Sequence, residues 1–140
     1  MIILIVGLPG SGKTSLATRL TEALDATYIE SKTVWPQLSR NLAAINDTAP
    51  EYADRLGNVA RIAASRGGSV IVDYTCATKA ARAAFGAVDY TIWVNRDTVD
   101  NVYSKVWEDL EVLEYDLKIN KGLSIEQECD IVLDMLKKRH

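Results

Sequence analysis

Little in this chain points to covalent or membrane anchoring. There are only two cysteines in 140 residues, Cys76 and Cys129, and they lie far apart. That spacing fits free thiols in a reducing compartment better than a disulfide framework. No apolar run approaches the length that spans a bilayer. The opening MIILIV is too short for the apolar stretch of a signal peptide and has no cleavage pattern behind it. The lone histidine, His140, is terminal and receives no role. Repeats and low-complexity segments are absent. Neither sign of charge dominates: the net value is -3, which gives no global attraction to nucleic acid or anionic lipid. The expectation is a soluble cytoplasmic protein of one domain, residues 1–140, whose phosphate contacts come from local groups.

What is present is a core and a rhythm. Apolar residues make up 48% of the chain and charged residues 25%, enough to bury an interior and remain soluble. Met1–Val6 is continuously apolar and stops at Gly7, as a strand buried on both faces does. From Lys13 the period becomes helical, with Leu16, Leu20, Ala23 and Leu24 on one side. A second strand fits Thr27–Glu30. Residues 31–50 read as a broken helix, with Pro36 near a start and Pro50 opening the next helix. Glu51–Arg66 is that helix, closed by Gly67 and Gly68. Ser69–Asp73, Tyr90–Val94 and Tyr115–Ile119 are further strands, and Thr78–Phe85 is a short helix. Val99, Val102, Tyr103 and Val106 continue a helical stripe. Ser124 and Gln127 form a capping box for the last helix, whose Lys137–Arg139 end suits its dipole. Alternating strands and helices predict an α/β fold with a mainly parallel five-stranded sheet flanked by helices.

The most specific signal is Gly7-Leu8-Pro9-Gly10-Ser11-Gly12-Lys13-Thr14. It matches G-x-x-x-x-G-K-S/T between a buried strand and a helix. Such a loop folds its amides inward around phosphates, and the helix that follows adds the positive end of its dipole. Pro9 has no N–H, so the donors are later residues. Lys13 is expected to reach the β- and γ-phosphates, and the Thr14 hydroxyl to bind Mg2+. Asp73 ends the third strand, where a carboxylate holds Mg2+ through water or accepts a proton.

Two switch motifs are missing. Asp73-Tyr74-Thr75-Cys76 lacks the glycine of D-x-x-G, and Asn120-Lys121-Gly122-Leu123 lacks the acid of N-K-x-D. Both departures oppose a GTP switch. A small kinase suits the length best, with ATP as donor, and implies a single-domain P-loop kinase fold. A non-catalytic nucleotide-binding module is the alternative of another class.

An acceptor site needs a base and cations. Glu30 ends the second strand at the same sheet edge as Asp73 and the loop; either acid is a candidate to orient an acceptor hydroxyl. Asp54, Asn58, Arg61 and Ser65 form a polar helical stripe flanked by Arg55, opposite Leu56, Val59, Ala60 and Ala63. Arg82 and Lys79 lie on the helix after the third strand. Arg96 and Lys105 follow the fourth, and either could neutralise a transferred phosphoryl. Lys32 and Trp35 stand beside the presumed acceptor cleft.

With the loop, Asp54-Arg55-Leu56-Gly57-Asn58-Val59-Ala60-Arg61 resembles the D-R-x-x-N-x-x-R helix of adenylylsulfate kinases, and DYTCATKAARAAF (73–85) resembles their strand-end segment. The resemblance covers most of the chain. It implies that Arg55, Asn58, Arg61 and Arg82 hold the acceptor. After the second strand that family carries D-G-D-N-x-x-R; here Glu30-Ser31-Lys32-Thr33-Val34-Trp35 stands instead. Compact, with a reduced lid and this altered loop, the chain looks most like small phage kinases that phosphorylate 5-hydroxymethyluracil (5-hmdU) in DNA. That likeness implies a role in thymidine hypermodification in the host cytoplasm. It also implies a flipped base stacked on Trp35, with Lys32, Arg55 and Arg61 near flanking phosphates. Adenylylsulfate or another small nucleotide is the alternative acceptor.

Overall fold

The computed structural model describes residues 1–38, 49–96 and 105–139. The expected stripe from Val99 to Tyr103 lies outside them, and Lys105 and Val106 form a turn. Five strands, β1 (Ile2–Val6), β2 (Thr27–Glu30), β3 (Val70–Tyr74), β4 (Tyr90–Asn95) and β5 (Leu117–Asn120), make one sheet in the order β2-β3-β1-β4-β5. Every pairing is parallel, so the sheet is wholly rather than mainly parallel.

The apolar run of β1 is explained by its central place. Ile2, Leu4 and Val6 face one core, with Tyr52, Leu56, Tyr74, Phe85 and Trp93. Ile3 and Ile5 face the other, with Leu16, Leu20, Ile92, Val132 and Leu136. Side chains alternate across a strand, so a strand covered on both sides must be apolar throughout. The first core is roofed by α3 (Pro50–Ala64) and α4 (Lys79–Phe85), the second by α1 (Lys13–Leu24) and α5 (Ile125–Arg139).

Local rules account for most boundaries. Pro50 opens α3, where a missing N–H costs nothing. The Thr78 hydroxyl caps α4 by accepting from the Ala81 amide at 3.1 Å. At the head of α5 the Ser124 amide donates to Gln127 at 2.8 Å, and the Gln127 amide donates back to Ser124 at 3.1 Å. α1 ends on Asp25 at φ 50°, a left-handed turn that the chain makes without glycine.

Two expectations need correction. Helix α2 (Ser31–Leu38) starts directly at the end of β2, so Pro36 falls inside it rather than near a start. Packing of Val34 and Trp35 on the first core holds that turn despite the donor that proline lacks. The last strand begins two residues later than Tyr115, because Asp116 closes the edge of β4 with its side chain, accepting from the Thr91 amide at 2.8 Å.

Helices α3 and α4 touch most closely at Gly57. A Cβ there would lie 2.9 Å from the carbonyl carbon of Phe85 and still closer to its oxygen. No described helix is long and apolar enough to cross a membrane.

Candidate active site

Parallel strands bring all their carboxyl ends to one edge, and the loop after β1 lies there between β3 and β4. The loop is closed on itself: the Ser11 amide donates to the Leu8 carbonyl at 3.1 Å, and Lys13 Nζ donates to the same oxygen at 3.2 Å. Gly12 sits at φ 98°, a conformation that side chains resist, and turns the chain into α1.

Lys13 is almost completely buried, with Nζ 4.0 Å from Asp73 Oδ1. Burial pulls its ammonium below the usual lysine range; Asp73 opposes that shift, Lys32 adds to it and Glu30 opposes it. A buried cation with one distant counter-ion is an electrostatic seat for a further anion.

Asp73 Oδ2 accepts two hydrogen bonds, from Thr14 Oγ1 at 2.8 Å and from the Tyr28 hydroxyl at 2.9 Å. Strand register puts Glu30 directly beside Asp73 on β2. Glu30 accepts from Thr33 at 2.8 Å and from the Tyr28 hydroxyl at 3.2 Å. Tyr28 therefore bridges the two acids, and burial together with the Asp73 charge raises its phenol pKa. Sequence reasoning passed over Tyr28. The signal was available, since residues 28 and 30 share a face of a strand.

These groups line one cleft of about 270 Å3, formed by Pro9, Gly10, Lys13, Thr14, Glu30, Lys32, Asp73 and Thr75. Thr14 Oγ1 and Asp73 supply hard oxygen donors side by side, the donor set that suits Mg2+. No group of three or more acids, histidines or cysteines that could hold a metal exists among the described residues. Mg2+ commonly needs no such cage, because one or two carboxylates, waters and substrate phosphates complete its shell.

The expected acceptor residues separate. Lys32 lies on the cleft rim, exposed at the start of α2. Trp35 is half-buried against the first core, and its indole nitrogen is enclosed, so it is core rather than an open stacking platform. Arg55 is exposed on α3. Arg61 is at the wrong end of the sheet for an acceptor contact. Its guanidinium donates to the carbonyls of Phe85, at 2.8 Å, and Ala87, at 3.4 Å, just before β4 begins. Asn58 Oδ1 accepts from Arg61 at 3.1 Å. Helical spacing had placed both on the right stripe but could not say how far down the strands they sit.

Arg82 is likewise committed. It donates to the Cys76 carbonyl at 3.0 Å and to the Ala77 carbonyl at 3.2 Å, bonds the Glu108 carbonyl, and lies 5.2 Å from the Trp107 ring centroid. It pins residues 107–109 and the start of α4 together. Lys79 pairs with Glu111 at 3.1 Å. Lys105 is exposed in its turn. Arg96 lies behind the phosphate loop and pairs with Glu128. Cys76 is buried at φ 47°, and burial pushes its thiol up to about 12, which leaves it unreactive.

Residues 2–101 match the family AAA_33, an AAA domain. No curated protein matches the chain. Among solved structures, the APS kinase of Mycobacterium tuberculosis, in complex with AMPPNP and APS, is similar, with a TM-score of 0.72 at 17% identity. The alignment covers 97% of this chain and 96% of that one. A sugar kinase from Janibacter gives 0.74 at 16% identity, covering 97% and 94%. A gluconokinase from Sinorhizobium meliloti gives 0.69 at 17% identity, covering 97% and 91%. At such identities the likeness is one of fold. With a family match over most of its length, a parallel sheet and a phosphate loop at its carboxyl edge, the chain belongs to the AAA_33 family, an AAA domain, and shares the fold of those kinase structures.

Proposed function

We propose that the protein is an ATP-dependent kinase that transfers the γ-phosphoryl group to a hydroxyl acceptor entering over Glu30 and Lys32. One observation carries the reading: Lys13, Thr14, Asp73, Glu30 and Lys32 line the same cleft. Residues 7–14 form the cradle, with Lys13 drawing charge from the transferred phosphoryl. Thr14 and Asp73 would hold Mg2+, which when bound neutralises phosphate charge. Asp73 is engaged with Thr14 and Tyr28, which suits the metal side. Glu30 stands one strand further out, beside Lys32, and is the better placed base for an acceptor hydroxyl. Catalysis is then positioning and charge neutralisation.

For the acceptor we propose the hydroxymethyl group of 5-hydroxymethyl-deoxyuridine in DNA. The support is the sequence resemblance and the basic rim residue Lys32, joined by exposed Arg55 on α3. The inward packing of Trp35 and the placement of Arg61 remove two contacts that this reading had used. A small acceptor is the second reading, favoured by the fold likeness to the APS kinase and gluconokinase structures. The test uses ATP labelled at the γ-phosphate with Mg2+ and four acceptors: DNA with 5-hydroxymethyluracil, thymine DNA, adenylylsulfate and gluconate. Label in the first alone supports the DNA reading. Label in a small acceptor overturns it. ATP bound with label in none leaves a nucleotide-binding module or another acceptor.

A further inference from the structure

Glu128 is a carboxylate with no exposed surface, on the first turns of α5 and outside the cleft. Burying a charge is costly unless a partner compensates it. The partner is Arg96, the residue directly after β4, whose guanidinium meets Glu128 Oε1. An apolar pair would fill the same space at less cost, so closing the helix onto the sheet does not require these residues. Their further contact is informative. Arg96 Nη1 donates to the Ser11 carbonyl at 3.2 Å. A Cβ on Gly12 would lie only 2.6 Å from the same nitrogen. The guanidinium is thus wedged between α5 and the outer side of the phosphate loop.

A loop that binds phosphate must point amides inward and carbonyls outward, because an inward carbonyl repels the ligand. The Ser11 carbonyl needs an outward partner, and Arg96 supplies it. Glu128 orients the guanidinium and cancels its charge, so Arg96 holds the loop without acting as a second phosphate cation. A further tie reinforces the same register, as Glu126 of α5 pairs with Arg19 of α1.

We infer that Arg96 and Glu128 form a positioning pair that sets the phosphate loop from behind through the Ser11 carbonyl. The inference rests on the loop's reading as a nucleotide phosphate site. The test compares the wild-type full chain with the double variant Arg96→Met/Glu128→Leu, which removes both charges at similar volume. Three quantities are read: the thermal midpoint without nucleotide, the Kd for a fluorescent ATP analogue, and deuterium uptake of the peptide spanning residues 8–13. The expected result is a retained midpoint, a Kd weakened about tenfold as for a lost charge-assisted hydrogen bond, and faster exchange in the loop. Unchanged Kd and exchange in a folded variant overturn the pair's role. If the double variant does not fold, Glu128→Gln decides: faster loop exchange and weaker binding support the pair, and wild-type values overturn it. Arg96→Lys, which keeps a charge and a donor, should recover most of the affinity. Wild type that fails to bind the analogue would overturn the kinase reading, and loop exchange alone would then decide this inference.

Discussion

Replacing Gly57 by Ala tests whether the α3–α4 contact governs stability. Helix propensity alone predicts a gain of about 1 kcal/mol, because alanine is the better helix former. The structure predicts the opposite. A Cβ at residue 57 would stand 2.9 Å from the Phe85 carbonyl carbon, where carbon–carbon contacts settle at about 3.5–4.0 Å. The obstacle is backbone at the end of α4, so no side chain can swing aside. The Phe85 oxygen stands closer still, so the helices must part by roughly 1 Å or more, which loosens Leu56, Ala60 and Phe85 in the first core. Separation also stretches the 2.8 Å bond from Arg61 to the Phe85 carbonyl. Overpacking costs about 1–3 kcal/mol and a weakened charged hydrogen bond about 1.5 more, so after the propensity gain the net loss is about 1.5–3.5 kcal/mol. For a chain of this size that lowers the Tm by roughly 5–12 °C. Thermal unfolding followed by circular dichroism reads it directly. Since Gly57 packs at the end of the sheet away from the phosphate loop, ATP affinity well below the Tm should be unchanged. A Tm equal to or above that of wild type would refute the packing argument.

Four other outcomes are expected. Lys13→Ala should lower phosphoryl transfer by at least about 100-fold, measured with γ-labelled ATP; full activity would remove the loop's role. Burial lowers the Lys13 pKa in the free protein, and bound phosphates raise it again. Binding therefore takes up a proton between the two values, and affinity falls as pH rises through that window. Calorimetry at a series of pH values up to the ordinary lysine range, each in two buffers of different ionisation enthalpy, should show that uptake, and identical heats throughout would contradict it. Asp73→Asn should weaken the Mg2+ dependence of ATP binding, whereas Glu30→Gln should leave it intact and slow transfer by about 100-fold; equal effects on Mg2+ would undo the division of roles. Asp25→Gly relieves a left-handed turn and should stabilise by about 0.5–1 kcal/mol in urea unfolding, with a loss counting against the strain.

The features legible in the sequence were those set by neighbours along the chain. The apolar run of β1, the glycine pattern of residues 7–14 and the Ser124–Gln127 box each declare a local geometry, and each is found. The cleft was half legible for the same reason, because strand ends in a parallel sheet must share an edge. That argument places Glu30 beside Asp73. What failed depended on distance in three dimensions. Helical spacing assigns Asn58 and Arg61 to a stripe but not to a height, and the Arg61 guanidinium turns to the carbonyls of Phe85 and Ala87, ahead of β4, with Asn58 as its partner. Trp35 could be placed only once α2 was known to start at Ser31. The pairing of Arg96 with Glu128 joins residues on different elements, with no periodicity to announce it.

The strand order has a consequence for synthesis. Every described residue lining the cleft falls between Pro9 and Thr75. A nascent chain that has released β3 therefore already carries the chemistry of those residues. It does not yet carry β4 and α5, whose Ile92, Val94, Val132 and Leu136 cover Ile3, Ile5, Leu16 and Leu20. Until those arrive, α1 roofs that side of the sheet alone, and the apolar surface of β1 and α1 that β4 and α5 complete is bare. The growing polypeptide thus passes through a stage in which the cleft residues exist without a finished interior, and chaperone capture there would fall on α1 and the uncovered side of β1.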